Sequence, residues 1–152
     1  QAEPKPGDAY AIGNYGDWVH RCIKTDTDQD PCHMYQLLRD ADNNPVAEVT
    51  LNPLPAGGRA VAGMNIVTPL ETLLTAQLTV SVDGAAGKRY PFAFCSRVGC
   101  VARIGLTSDD LGGFKRGNAA SVVLVPITSP DTKVDLKMSL TGFTKAFDVV
   151  SQ

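Results

Sequence analysis

The chain has one tryptophan, two histidines and no run of apolar residues near the roughly 20 that cross a bilayer as a helix. It does not lean to one sign of charge: 14 basic residues against 16 acidic ones leave a formal net charge of −2. The basic residues are also scattered, with Lys88-Arg89, Arg97, Arg103 and Lys115-Arg116 forming no run. Neither a membrane-spanning helix nor a general attraction to nucleic acid or anionic lipid is expected from this balance. Catalytic signatures are missing as well. There is no Gly-x-Ser-x-Gly elbow, and Gly57-Gly58 and Gly112-Gly113 lack the setting and the Lys-Ser/Thr of a phosphate loop. Asp26-Thr27-Asp28-Gln29-Asp30 begins like a calcium loop, with carboxylates at alternate positions. Pro31 stands where the turn glycine belongs and Leu37 where the bidentate glutamate belongs, which excludes a complete EF-hand and leaves a solvated acidic loop. No catalytic residue, metal site or cofactor is expected.

What is present starts with four cysteines in two close pairs, Cys22 with Cys32 and Cys95 with Cys100. Neither pair has the Cys-x-x-Cys spacing of a redox motif. An even number at short spacings points to disulfides formed outside the cytosol. Of the three possible connectivities, the local one is preferred. A structural zinc held by all four thiols fits the spacing poorly. A Cys22–Cys32 link closes eleven residues and is worth about 2.8 kcal/mol by chain entropy; a Cys95–Cys100 link closes six and is worth about 2.2. In that pairing 95–100 becomes a stapled hairpin turn, with Gly99 supplying a backbone conformation denied to other residues.

At 152 residues the chain fits one domain, and its 43% hydrophobic content is ordinary for a globular protein. Residues 1–14, with Pro4, Pro6, Gly7 and Gly13, carry no periodic apolar pattern and read as a flexible leader, with a single domain over 15–152. The polar, Pro-rich opening without Met reads as a mature form whose signal peptide has been removed. Beyond it, period-2 alternation dominates. Val134, Leu136, Met138 and Leu140 face one way and Asp135, Lys137, Ser139 and Thr141 the other. Leu78, Val80 and Val82 alternate up to Asp83-Gly84, a hairpin dipeptide, after which Tyr90, Phe92 and Phe94 share a face. Segments 78–82 and 88–94 are therefore expected to pair. Val98, Cys100, Ala102, Ile104 and Leu106 form an inward row, with Arg97, Val101 and Arg103 outward; Ala47, Val49 and Leu51 form another. The stretch 121–125 is apolar on both faces, as a central strand would be. Thr107-Ser108-Asp109-Asp110 reads as an N-cap with acidic first-turn residues, before a helix that Gly112-Gly113 limits to one or two turns, and 143–150 reads as a short helix after Gly142. Eight or nine short strands with regular turns predict an all-β antiparallel sandwich with one or two short helices.

The candidate chemistry is thin. His20 shares strand parity with Trp18 and Cys22 and reads as a hydrogen-bonded structural histidine. Tyr10 and Tyr15 either anchor a partner or fold back over the sheet. Lys88, Arg89, Arg97 and Arg103 are a candidate contact surface, a local basic stripe suited to an anionic glycan or an acidic partner if the hairpin pairing holds.

Several segments occur in an order that carries a resemblance. They are Gly16-Asp17-Trp18-x-x-x-Cys22, Ile66-Val67-Thr68-Pro69-Leu70, Val80-Ser81-Val82-Asp83-Gly84, Cys95-x-x-x-Gly99-Cys100 and Leu140-Thr141-Gly142-Phe143-Thr144-Lys145-Ala146. Together they resemble the invasion-associated locus B family of secreted bacterial proteins. The resemblance implies an immunoglobulin-like β-sandwich, export to the periplasm or beyond, and in some members a part in entry into host cells. It implies a protein or glycan partner in the envelope or on host cells, with no catalytic mechanism and no functional residue to carry over. A glycan or small-molecule binding module of the envelope is the alternative. The oligomeric state is not set by the sequence.

Overall fold

The computed structural model describes residues 3–55 and 57–151. The first strands are β1 (Ala9–Tyr15), β2 (Trp18–Ile23), β3 (Cys32–Arg39), β4 (Pro45–Pro53) and β5 (Ala62–Thr68). After a 3-10 turn at Leu74–Ala76 come β6 (Leu78–Val82), β7 (Lys88–Tyr90), β8 (Phe94–Ser96) and β9 (Gly99–Leu106). Helix α1 (Ser108–Arg116), strands β10 (Ala119–Leu124) and β11 (Val134–Ser139), and helix α2 (Phe143–Val150) complete the order. All the ladders are antiparallel, and the main path runs β7-β6-β10-β11-β3-β4-β5-β9-β8. The mostly β, antiparallel expectation holds. The hydrogen bonding makes one curled sheet, a half-barrel, so the immunoglobulin-like sandwich has no counterpart as two separate ladders.

The curl follows from connectivity. β7 and β8 lie at opposite ends of the strand order, yet only Pro91, Phe92 and Ala93 join them. Four Cα steps reach at most about 14 Å, so the two ends of the sheet must come close together. The Ala93 N–H donates to the Val101 carbonyl at 2.8 Å and holds the connection on β9. This corrects the expectation of one strand over 88–94: the chain leaves β6 at Pro91, which has no N–H for a ladder, and Phe94 pairs with Val101 instead.

The sheet forks at β3. Its first half pairs with β2, Tyr35 opposite Val19 through Cys32 opposite Cys22, while β11 meets it only at Arg39 opposite Lys137. Gln36 fills the gap. Its amide donates to the Ser139 carbonyl at 3.0 Å and its carbonyl accepts from the Ser139 N–H at 2.8 Å, so a buried side chain replaces the missing ladder bonds. The expected leader is corrected in the same region. Residues 9–15 form β1 on β2, from Ala9 opposite Ile23 to Tyr15 opposite Trp18. No position of β1 is buried, so no apolar row marks it in the sequence.

The core joins the inward faces of the strands to both helices. Trp18, Met34, Leu51, Ile66, Leu136 and Met138 are among its fully buried members. Phe143 of α2 meets the Trp18 ring edge-on at 5.5 Å and stacks on Phe114 of α1 at 5.7 Å. α2 has the expected bounds, and Gly142 precedes it at φ +83°. α1 starts as expected, with Thr107 and Asp110 forming a reciprocal capping box. It runs longer than one or two turns because Leu111 and Phe114 bury the same face across the glycine pair. The turn after β6 also holds: Asp83 and Gly84 both have positive φ, and Ala85 N–H returns to the Val82 carbonyl at 2.9 Å.

Candidate functional site

Two places gather unusual side chains. The first is the β2–β3 corner, where Cys22 and Cys32 sit directly opposite and are bonded. The expected local pairing holds for both disulfides, and Cys95 is bonded to Cys100. His20 lies on the same face of β2 as Trp18 and Cys22, its Nε2 4.0 Å from Cys22 Sγ. The hydrogen bonding expected of His20 is limited to this long contact with sulfur. Its Nδ1 is buried without a partner, and so is the Nε1 of Trp18. The nearest ligand atoms of His20, Cys22 and Cys32 all lie within 4.8 Å of one another.

On the other face of the corner, register builds a polar stack that sequence spacing does not reveal. Arg21 Nε donates to His33 Nε2 at 3.0 Å, and its guanidinium lies 3.8 Å from the Tyr35 ring centroid. The Tyr35 hydroxyl donates to Glu48 at 2.9 Å. Burial first, then the Arg21 guanidinium and the neighbouring His20, push the His33 imidazole down to about 4, so the ring is neutral at physiological pH. Burial and then the Glu48 hydrogen bond raise the Tyr35 hydroxyl. The acidic loop beside this corner is tied down internally: Asp30 accepts from the Tyr10 hydroxyl and from both the N–H and hydroxyl of Thr25. The Tyr10 hydrogen bond holds the Asp30 carboxyl below its usual range. Tyr10 and Tyr15 thus fold back on the sheet, Tyr15 against the core.

The second place is the β8–β9 hairpin. Ser96 pairs with Gly99, so Arg97 and Val98 form its two-residue tip. Val98 is 77% exposed, which corrects its expected place in an inward row. The alternation was extended one residue into the turn that the Cys95–Cys100 staple requires. Val101, expected outward, is buried, because Phe94 and Val67 flank it in register. Phe94 is 47% exposed, with the Arg103 guanidinium over its ring at 5.4 Å. Beneath the tip lies an open groove of about 420 Å³ lined by Leu37, Pro45, Val46, Val67, Pro69 and Val98 among others.

The candidate basic stripe does not come together as expected. β7, with Lys88 and Arg89, is not hydrogen-bonded to β8 or β9. Lys88 pairs with Asp110 at 2.6 Å, and Arg89 stands opposite Thr79 on β6. Arg97 stands at the tip of the stapled hairpin, and Arg103 lies farther along β9 over the Phe94 ring. Sequence reasoning missed Phe94 and Val98 as exposed residues. The Cys95–Cys100 spacing held the clue, since only a tip can lie between directly paired cysteines with four residues between them.

Four of the five segments that carried the resemblance meet in pairs. The Asp17 N–H donates to the Thr141 carbonyl at 3.1 Å, and a Cβ on Gly142 would lie 2.1 Å from the Tyr15 carbonyl oxygen. Gly99 has φ +142°, and a Cβ there would lie 2.2 Å from the Thr68 oxygen. The model of the invasion associated locus B protein family matches residues 18–151. The chain belongs to that family. No curated protein matches the sequence. Among solved structures, the crystal structure of invasion associated protein B from Bartonella henselae is similar, with a TM-score of 0.74 at 20% identity over 91% of this chain and 94% of that one. That likeness establishes a shared fold. Within the invasion associated locus B fold of this chain, these are backbone contacts between strands and helix ends, and the exposed hairpin and the sulfur–histidine corner each carry one of the segments.

Proposed function

We propose that this chain is an exported interaction protein, acting in the periplasm or at a host-cell interface through surface contacts and without catalysis. The observation that carries the reading is the β8–β9 hairpin. A disulfide and a glycine contact hold Phe94 and Val98 in solvent, with Arg97 and Arg103 beside them. Aromatic and arginine side chains on a rigid frame are what protein interfaces use as anchors. Two disulfides suit an oxidising compartment, and no helix among the described residues is long and apolar enough to cross a membrane. The name of the Bartonella henselae relative, an invasion associated protein, supports the host-interface setting. The partner is a protein surface with acidic and apolar groups.

The test is capture from host-cell membranes and from bacterial envelope extract by the oxidised chain. Wild type is expected to show saturable capture that Val98→Asp and Arg103→Glu abolish. Equal capture by wild type and both variants would sink the reading. The groove of about 420 Å³ favours a second reading, a glycan or small-molecule binding module. Capture that glycosidase treatment of the membranes removes would decide for it.

A further inference from the structure

We propose that opening the Cys22–Cys32 disulfide turns the β2–β3 corner into a three-ligand site for a thiophilic cation, Cu(I) above all, held by both thiolates and the His20 imidazole. The donors are already placed: their nearest atoms lie within 4.8 Å of one another, and the β2–β3 register holds Cys22 directly opposite Cys32. The His20 ring is held by no hydrogen bond at its buried Nδ1, and its Nε2 stands 4.0 Å from Cys22 Sγ. Trp18 Nε1, on the same face, is a second buried nitrogen without a partner. A buried ring nitrogen without a partner costs folding energy, and a metal-ligand role for that nitrogen accounts for it. The donor set selects the ion: thiolates favour Cu(I) and zinc over harder cations. Three donors, with no fourth in the cluster among the described residues, suit trigonal Cu(I) better than a closed tetrahedral zinc site. The zinc site weighed from the sequence needed all four thiols, but Cys95 and Cys100 belong to a different hairpin.

In the oxidised chain the sulfurs are bonded to each other and supply no thiolate. A dithiol reductant opens the site. Cys22 is 1% exposed and Cys32 is more open, so the reductant's thiolate attacks the Cys32 sulfur and Cys22 leaves as thiolate. The reductant's second thiol then resolves the mixed disulfide and frees Cys32. Two electrons have moved to the protein sulfurs, and the reductant ends as its own disulfide. Binding Cu(I) releases the two thiol protons and restores a link across the two strands.

The test is Cu(I) titration against a chromogenic chelator, using chain reduced with dithiothreitol and desalted without oxygen. A Cys95→Ser/Cys100→Ser variant isolates the site. It is expected to take one Cu(I) per reduced chain and none when oxidised. His20→Ala, in that variant and in the wild-type background, is expected to weaken the site at least about tenfold. The His20 ring nitrogen signals in NMR are expected to shift on Cu(I) addition. Affinity unchanged by His20→Ala, equal uptake by oxidised chain, or no uptake by a folded serine variant would each overturn the proposal. If the serine variant does not fold, the His20→Ala comparison in the wild-type background decides.

Discussion

Replacing Gly142 by alanine is expected to destabilise the oxidised chain by about 2–5 kcal/mol, adding backbone strain to forced displacement. Gly142 sits at φ +83°, where an L-residue costs about 1–2 kcal/mol. Its new Cβ would lie 2.1 Å from the Tyr15 oxygen and 2.4 Å from the Tyr15 carbonyl carbon. Both are backbone atoms, so no rotamer change relieves the overlap. The end of β1 or the start of α2 must move, which adds about 1–3 kcal/mol. Phe143 follows directly and packs edge-on against Trp18, so the displacement reaches the core. Gly16 makes the same contact from the other side: at φ +61°, its Cβ would lie 2.4 Å from the Thr141 oxygen. Gly16→Ala is therefore expected to have a similar effect. One separation of the two segments relieves both clashes, so the double variant should fall short of the summed single effects by at least about 1 kcal/mol. Urea midpoints at unchanged m-value supply the numbers. A Gly142→Ala chain as stable as wild type, or strictly additive effects, would refute the reasoning.

Other perturbations follow from single contacts. His33 has its pKa lowered from 6.5 to about 4, so below pH 6.5 the unfolded chain takes up a proton that the folded chain refuses. Stability is then flat above pH 6.5 and falls as pH drops toward 4, by about 1–2 kcal/mol once solvent screening of the half-exposed ring is allowed for. His33→Gln should flatten that part of the profile, and an unchanged slope in urea melts between pH 4 and 7 would count against it. Thr107→Ala removes the capping box of α1 and is expected to cost about 1 kcal/mol. Lys88→Ala, which breaks a solvent-exposed pair with Asp110, should cost only a small fraction of that; the reverse ranking in thermal melts would contradict the assignment. Gly99→Ala places a Cβ 2.2 Å from the Thr68 oxygen, so amide exchange at 94–96 should accelerate, and unchanged protection there would reject the contact.

What was legible in the sequence depended on whether an element buries one face. β6, β9 and β11 announce themselves because Val80, Ile104 and Met138 recur at period two over a core. β1 is silent because none of its positions is fully buried, and its hydrogen bonds to β2 are main-chain only. α1 was read too short because a glycine pair was weighed by propensity alone, whereas Leu111 and Phe114 decide its length by packing. The disulfides were legible because the cysteine spacing allows hairpin partners. The Arg21–His33–Tyr35–Glu48 stack was not: it spans three strands, and only the registers of β2 on β3 and β3 on β4 bring its members together. Lys88 and Asp110 were separately visible as charges, but their meeting depends on how the helix folds back over the β6–β7 hairpin.

The two staples hold different things, and this separates structure from presentation. Cys22 is buried on the same face as Trp18, so its link fixes a strand of the core. β8 has no buried side chain: Phe94, Cys95 and Ser96 are all exposed. Ordering such a strand costs about 1–2 kcal/mol per residue, and its backbone pairs with β9 return about 0.5–1.5 kcal/mol each. The balance is near zero, so the disulfide, worth about 2.2 kcal/mol, decides whether the hairpin stays formed. A link placed there serves the exposed Phe94, Val98, Arg97 and Arg103, not the core. Cys95→Ser/Cys100→Ser is therefore expected to lower the melting temperature by no more than the few degrees that this link is worth, while capture of the partner falls. Cys22→Ser/Cys32→Ser should lower the melting temperature by several degrees. If the hairpin variant kept its capture, the hairpin would be a part of the folding unit and not its contact surface.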